Sequence, residues 1–138
     1  MALHITRDAL EQILTQARRD HPIETCGVVA SPEGSLVASR TIPMRNIAAS
    51  EVFYQFDSRE QFQLFSELDD RDETCRVIYH SHTSSEAFPS REDIEYAGSP
   101  DAHYLIVSTW KLAAEVARSF RIVHGRVYEE RIVISSHA

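Results

Sequence analysis

Two histidines and one aspartate in the middle of the chain have the types and the spacing of metal ligands. They lie in the segment VIYHSHTSSEAFPSRED, residues 77–93. His80 and His82 are two positions apart, so in a β-strand both imidazoles project from the same face. Asp93 comes eleven residues after His82, three places into a helix that Ser90 is expected to begin. A loop that returns to the end of the strand would present the Asp93 carboxylate as a third ligand.

Two imidazoles and one carboxylate make the ligand set of a catalytic rather than a structural zinc site, because one tetrahedral position is left for water. Such a site keeps a net positive charge, which lowers the pKa of that water toward about 7. The pattern therefore predicts one Zn²⁺ per chain, held by His80, His82 and Asp93.

Each of these residues also fits an ordinary structural role. A lone His-x-His pair in a strand is more often two surface or packing histidines, and Ser90 with Asp93 fits a helix capping box. Glu24, taken alone, fits a solvated acid between a helix and a strand. The joint spacing, with Glu24 far upstream in the phrase IETCGVV, favours chemistry. Capping and metal binding are compatible roles.

Apolar residues at helical spacing predict three helices that surround this segment. The first has Thr6 as its N-cap and ends before Pro22. The second begins at Ser58 with capping-box spacing, and Phe62 and Phe65 are expected to face its core side. The third is the short helix described above.

Runs of apolar and β-branched residues predict seven strands. The first two flank the turn-like SPEGS as a hairpin, and the last two meet at His124-Gly125. The predicted strands are residues 26–30, 36–42, 52–56, 76–82, 103–108, 116–123 and 127–134. Strands mixed with helices predict an α/β or α+β fold. No repeat or linker interrupts residues 1–138, so we expect a single domain.

Composition narrows the functional classes. The net charge of -7 argues against nucleic acid as a partner, because phosphate binding draws on an excess of Lys and Arg. No apolar run approaches the roughly 20 residues of a membrane-spanning helix. The N-terminus shows no secretory signal, which predicts a cytoplasmic protein with Cys26 and Cys75 as free thiols.

The spacing of the chemical residues resembles the JAMM motif of MPN-domain metallopeptidases, which His80, His82, Ser90 and Asp93 match together with Glu24. The resemblance implies that the two histidines and the aspartate bind zinc. It also implies that Glu24 is the general base that activates the water, and that Ser90 stabilises the oxyanion. The implied fold is a curved, mixed β-sheet flanked by helices, similar to that of cytidine deaminases.

Longer segments are similar to bacterial members of this family that act on sulfur carriers. These segments are ARRDHPIETCGVV, the HSH segment, PDAHYLIVST and SFRIVHGRVYEE. The resemblance implies a ubiquitin-like partner with a C-terminal Gly-Gly tail, from which the enzyme releases an attached cysteine during cysteine biosynthesis. Chain-specific deubiquitination is not expected, since the segment after Asp93 has no Cys and no long insertion.

Two alternatives stay open. One is a JAMM peptidase acting on another ubiquitin-like conjugate. The other is a non-catalytic MPN scaffold, although such scaffolds typically lack one or more of the ligands.

Four further residues have two interpretations each. Cys26 shares the face of Glu24 if the strand is regular, but packing as a small hydrophobe is the commoner role of a buried thiol. His103 either supports the site or packs elsewhere. Phe53 and Tyr54 either belong to a loop that covers the substrate or pack against the core or an edge.

Overall fold

Eight strands and three helices form the described part of the chain, residues 1–136, in this computed structural model. The helices are α1 (Arg7–Asp20), α2 (Ser58–Asp70) and α3 (Arg91–Glu95). The strands are β1 (Ala2–Thr6), β2 (Cys26–Pro32), β3 (Val37–Ala38), β4 (Arg40–Met44), β5 (Glu73–His82), β6 (His103–Ser108), β7 (Ala117–Val123) and β8 (Arg126–Ser135).

All eight strands belong to one mixed sheet with the order β3-β1-β8-β7-β6-β5-β2-β4. The pairs β1–β3, β1–β8 and β5–β6 are parallel, and the others are antiparallel. The edges are therefore β3 and β4, while β5, which carries both histidines, lies in the interior of the sheet.

The helices cover the two faces of the sheet. On one face, Ala9, Ile13 and Ala17 of α1 pack against Val77 and Tyr79 of β5. The opposite face carries α2, whose Leu64 and Leu68 pack on β2, and α3, whose Ile94 joins a cluster around β6 and β7. Because strand residues alternate between faces, His80 and His82 lie on the face of α2 and α3. The expected mixed sheet flanked by helices is confirmed.

Most local predictions agree with the structure. Thr6 caps α1 by accepting a hydrogen bond from the Ala9 N–H, and the β6 bounds are as predicted. The SPEGS hairpin joins β2 to β4 through β3, and the last two strands meet where His124 and Gly125 both have positive φ.

The strand predicted at 52–56 is wrong. This segment forms only an isolated bridge between Asn46 and Phe56. The Asn46 side chain accepts a hydrogen bond from the Gln55 N–H and donates one to the Phe53 carbonyl. These backbone groups are therefore bonded to a side chain instead of to a neighbouring strand.

The predicted core face of α2 is also wrong. Phe62 is 73% and Phe65 45% exposed, whereas Leu64 and Leu68 are buried. Both pairs have helical spacing, and packing on β2 selects the leucines. The N-cap is Asp57, whose carboxylate accepts the Arg59 N–H at 3.0 Å.

None of the helices within residues 1–136 combines the length and the apolar character needed to cross a membrane.

The orientation of α2 predicts unequal costs for two substitutions. Leu64→Ala should lower the free energy of unfolding by roughly 2–5 kcal/mol, because it leaves a cavity against β2. Phe62→Ala should change it by only about 0.5 kcal/mol, since that ring is mostly in solvent. Urea unfolding of both variants measures the difference. A larger loss from Phe62→Ala would contradict this orientation.

Candidate metal centre

Three donor atoms converge at the C-terminal end of β5. The Nε2 atoms of His80 and His82 are 3.2 Å apart, and the Asp93 Oδ2 lies 3.1 Å from the first and 3.0 Å from the second. Both histidines are buried, at 2% and 5% exposure, and Asp93 is partly buried. Among residues 1–136, these three side chains form the group whose donor atoms lie close enough together to bind one metal ion.

Asp93 reaches this position because its helix begins with a capping box. The Asp93 N–H donates to the Ser90 Oγ at 3.1 Å, and the Ser90 N–H donates to the Asp93 Oδ2 at 2.8 Å. The loop between β5 and α3 is fastened as well, since the Ser108 hydroxyl donates to the Ser85 carbonyl at 2.7 Å. The capping role expected for Ser90 is therefore confirmed, and the same bonds aim Asp93 at the histidines.

The donor set fits a zinc ion. Ligand atoms about 2.0–2.1 Å from a tetrahedral zinc lie roughly 3.3 Å from one another, close to the separations observed. His82 Nδ1 lies 2.8 Å from the Glu86 carbonyl, so Nδ1 carries the proton and Nε2 is left with its lone pair. His80 Nδ1 has no hydrogen-bond partner among the described residues. The His80 ring is instead stacked on the Tyr54 ring, with 4.5 Å between the ring centroids.

Burial and mutual contact shift the pKa values of the three ligands. Burial lowers the pKa of His80 and keeps it neutral. Burial also opposes charging of His82, but hydrogen bonds to Asp93 and to the Glu86 carbonyl outweigh it and raise the pKa. The two rings differ because His80 is more deeply buried and because only His82 has a backbone acceptor. For Asp93, hydrogen bonds from both rings outweigh burial and hold the pKa well below its usual range.

Glu24 lies beside this group although it is far away in sequence. Strand β2 runs antiparallel to β5 with Cys26 opposite His80, and the Ser81 N–H donates to the Thr25 carbonyl at 3.0 Å. Glu24 precedes this paired segment by two residues, and its carboxyl lies close enough to His82 and Asp93 for both to shift its pKa. Glu24 is 4% exposed, and burial raises the pKa of its carboxyl to about 8. Nearby Asp93 raises this pKa further, and His82 lowers it.

The close approach of β2 to β5 requires a glycine. A Cβ on Gly27 would overlap the Tyr79 hydroxyl and the Ile42 carbonyl. The Tyr79 hydroxyl passes over Gly27 to donate to Gln16, whose amide donates to the Cys26 carbonyl at 3.1 Å. These contacts set the position of β2, and therefore of Glu24, relative to the histidines.

The structure also shows which of two predicted roles Cys26 and His103 have. Cys26 shares the face of Glu24 but is fully buried, and burial raises the pKa of its thiol to about 12. His103 pairs with Val77, five residues before His82, and its Nδ1 lies 2.6 Å from a Glu130 carboxylate oxygen. It therefore packs away from the metal ligands.

Two contacts of the site, one made by Tyr54 and one by Asn46, were not predicted from the sequence. Tyr54 was expected either to cover the substrate or to pack, and its ring packs on His80. Asn46 bonds the Glu24 carbonyl at 3.1 Å through its side-chain amide. No periodicity or spacing in the sequence indicates either contact.

Comparison of the sequence with known proteins identifies relatives over most of its length. The family model described as prokaryotic homologs of the JAB domain matches residues 6–123. The CysO-cysteine peptidase of Mycobacterium tuberculosis is 49% identical over 130 residues, which are 94% of this chain and 89% of that protein. The desampylase of Haloferax volcanii is 33% identical over 111 residues, 77% of this chain and 80% of that protein.

Solved structures share the fold. A protein from Desulfitobacterium hafniense, determined in solution, superposes with a TM-score of 0.82 at 29% identity, covering 99% of this chain and 94% of that chain. A JAB1/MPN domain protein from Archaeoglobus fulgidus gives a TM-score of 0.61 at 19% identity, covering 94% of this chain and 98% of that chain. The second likeness concerns the fold alone.

The geometry predicts about one tightly bound zinc per chain, as three protein ligands with one open position require. His80→Ala and Asp93→Ala should each lose it, and elemental analysis of the purified proteins measures the content. His103→Ala is the matched control and should keep its zinc, since that ring contacts Glu130 instead. Full zinc occupancy in both ligand variants would contradict the assignment.

Proposed function

The chain belongs to the prokaryotic JAB-domain family, and we propose that it is a zinc metallopeptidase that releases cysteine from the C-terminal glycine of a ubiquitin-like sulfur carrier. The expected relationship to the JAMM-type MPN proteins is confirmed by the family match and by the shared fold. That the chain is a hydrolase of the peptidase class agrees with its 49% identity to a peptidase over nearly its full length.

The observation that carries the proposal is the placement of a buried acid beside three converging metal donors. His80 Nε2, His82 Nε2 and Asp93 Oδ2 would hold the zinc. Bound there, zinc would act as a Lewis acid on the scissile carbonyl and promote the ionisation of water. The rest of the chemistry falls to Glu24 and Ser90.

Glu24 has the position and the surroundings of a general base. It lies within electrostatic reach of His82 and Asp93, and burial raises the pKa of its carboxyl to about 8, a value that a cation bound beside it would lower. A carboxylate whose pKa is brought toward the working pH can both accept and return a proton. Glu24 would take the proton of the attacking water and deliver it to the leaving amine.

Ser90 can donate to the carbonyl oxygen as that oxygen becomes negative. Its Oγ accepts the Asp93 N–H, which uses a lone pair and leaves the hydroxyl hydrogen free to donate. Ser90 is exposed at the surface of the site, where a substrate can reach it. The capping bond fixes the oxygen before the substrate arrives, so little reorganisation is needed during the reaction.

Two grooves border residues of the metal centre. A groove of about 680 Å³ borders Asp93 and is lined by aromatic residues, among them Tyr54, Tyr96 and Tyr104. A second of about 490 Å³ borders His82 and Ser90 and includes Phe88 and Trp110. A substrate that crosses the centre can therefore place one segment in each groove, one on either side of the scissile bond.

The tail of the carrier also needs a surface that accepts extended backbone. Of the two edge strands, β4 is the one beside the catalytic segment, since Met44 pairs with Cys26. We therefore infer that a Gly-Gly tail is recognised from β4 and the loop that follows it. Strand addition gives affinity through backbone hydrogen bonds and requires no side chains from the tail.

The identity of the carrier and of the leaving group rests on similarity. The relationship to the CysO-cysteine peptidase supports a cysteine adduct and a role in cysteine biosynthesis. The weaker relationship to the desampylase supports the second candidate, a peptidase acting on another ubiquitin-like conjugate. A cytoplasmic location is part of the proposal and is consistent with two free thiols, Cys26 and Cys75.

Two substitutions separate the base from the oxyanion donor. Glu24→Gln keeps the shape but removes the proton acceptor, so zinc and substrate should still bind while turnover nearly vanishes. Ser90→Ala should lower kcat on the order of 10² to 10³-fold through loss of one donor. Because Ser90 also caps the helix of Asp93, zinc content is measured alongside kcat in both variants. Wild-type turnover by Glu24→Gln would remove Glu24 from the mechanism.

The substrate proposal predicts that the carrier becomes lighter by one cysteinyl residue and that free cysteine appears. Intact-mass measurement of a carrier-cysteine adduct before and after incubation tests this, and a chelator should abolish the change. A short peptide ending in Gly-Cys should be cut far less efficiently, because it lacks the remote contacts that position the bond. Cleavage of ubiquitin dimers with the adduct left intact would overturn the substrate but not the peptidase.

A further inference from the structure

The main chain of the proposed base is held from two sides by groups that do not themselves react. On one side lies the loop of residues 45–57, which follows β4. The Glu24 N–H donates to the Ser50 carbonyl at 3.0 Å, and the Asn46 side-chain amide donates to the Glu24 carbonyl at 3.1 Å. Both backbone groups of Glu24 therefore bond to this loop rather than to β5.

Asn46 uses its whole side chain in this arrangement. Its amide nitrogen also donates to the Phe53 carbonyl at 2.9 Å, and its oxygen accepts the N–H groups of Ala48 at 3.0 Å and Gln55 at 3.1 Å. A primary amide offers two donors and two acceptor sites, so all four are occupied. One side chain thus closes the loop on itself and fastens it to Glu24.

On the other side lies Ser81, the residue between the two histidines. It is fully buried and, by strand alternation, projects away from the metal-binding face. Its Oγ accepts the Thr25 N–H at 2.8 Å, and its own N–H donates to the Thr25 carbonyl at 3.0 Å. The Thr25 hydroxyl donates in turn to Asp20 at 2.8 Å. Residue 25 is therefore fixed to the strand that carries both histidines.

We propose that Asn46 and Ser81 are positioning residues that form a clamp on the main chain of Glu24 and Thr25, and so set the base against the metal ligands. This inference rests on the proposed function, since it concerns the same reaction. A general base must lie within hydrogen-bond reach of the proton it takes, and a misplacement of about 1 Å can cost on the order of 10²-fold in rate. The clamp fixes the backbone from which the Glu24 side chain extends.

Asn46 also links the base to the wall of the metal centre. The loop that it closes carries Tyr54, whose ring is stacked on His80 with an angle of 23° between the planes. The same loop is anchored farther along, where the Thr83 hydroxyl donates to the Glu51 carbonyl at 3.0 Å. Loss of the Asn46 donors should therefore loosen the base and this loop together.

The kinetic test uses the zinc-loaded enzyme and an adduct of a ubiquitin-like carrier with cysteine. Asn46→Asp and Asn46→Ala both lose the donors to Glu24 and Phe53, and Ser81→Ala loses the acceptor for Thr25. Each should lower kcat by about 10- to 100-fold while KM stays within about twofold and zinc content is unchanged. Asn46→Ala also loses the acceptor for the Ala48 and Gln55 N–H groups, so its loss of kcat should be at least as large as that of Asn46→Asp.

Matched controls come from the same loop and the same sheet. Ser50→Ala removes the bond from the Val52 N–H to the Ser50 Oγ but keeps the Ser50 carbonyl that holds Glu24. Ser119→Ala removes a fully buried strand serine whose hydroxyl donates to Glu130, away from the centre. Both controls should keep kcat within about twofold of wild type, because neither of the removed hydroxyl groups bonds to Glu24 or Thr25.

A second measurement does not depend on activity or on metal. Hydrogen exchange of the metal-free protein should show faster exchange of the Glu24 N–H in Asn46→Asp and of the Thr25 N–H in Ser81→Ala, by about 10-fold or more. Amides of β6 should be unaffected. The clamp would be overturned by wild-type kcat in the Asn46 and Ser81 variants, or by losses of kcat no larger than those of the controls. Unchanged hydrogen exchange of the Glu24 and Thr25 N–H groups would overturn it as well. Wild-type turnover by Glu24→Gln would instead overturn the proposed function.

Discussion

One carboxylate oxygen, the Asp93 Oδ2, joins parts of the chain that would otherwise be independent. It lies within 3.1 Å of His80 Nε2 and His82 Nε2 and also accepts the Ser90 N–H. The loop after β5 must therefore span the distance from the strand end to the start of α3. A buried carboxylate without such partners would be costly, so these contacts fix both the helix and the ligand geometry.

The charge balance of the centre favours the binding of a cation. Glu24 and Asp93 are two acids in a largely buried site, and burial keeps His80 neutral. Burial is the largest cause of the raised pKa of Glu24, and the negative charge of Asp93 adds to it. A bound divalent cation would offset that repulsion and favour the ionised form that a general base requires. A cation bound to these three donors would therefore be coupled to the protonation of Glu24.

The amino-acid sequence alone determined the features that depend on neighbouring residues. Alternation in a strand is enough to place His80 and His82 on one face, and local capping chemistry is enough to start α3 at Ser90. The same reasoning located α1 after Thr6 and gave the bounds of β6. The spacing of these residues also indicated a metal ligand set, because the ligands come from adjacent elements of the chain.

Contacts between distant segments were decided only by the tertiary structure. Strand β1 was not predicted, because its five residues are stabilised by pairing with β8 at the other end of the chain. The exposed side of α2 was predicted wrongly, since the pair Phe62/Phe65 and the pair Leu64/Leu68 both have helical spacing and only packing on β2 selects the leucines. The hydrogen bond of Asn46 to Glu24 likewise joins residues 22 positions apart. Local spacing carries no information about such pairs, because their energy depends on surfaces that exist only after folding.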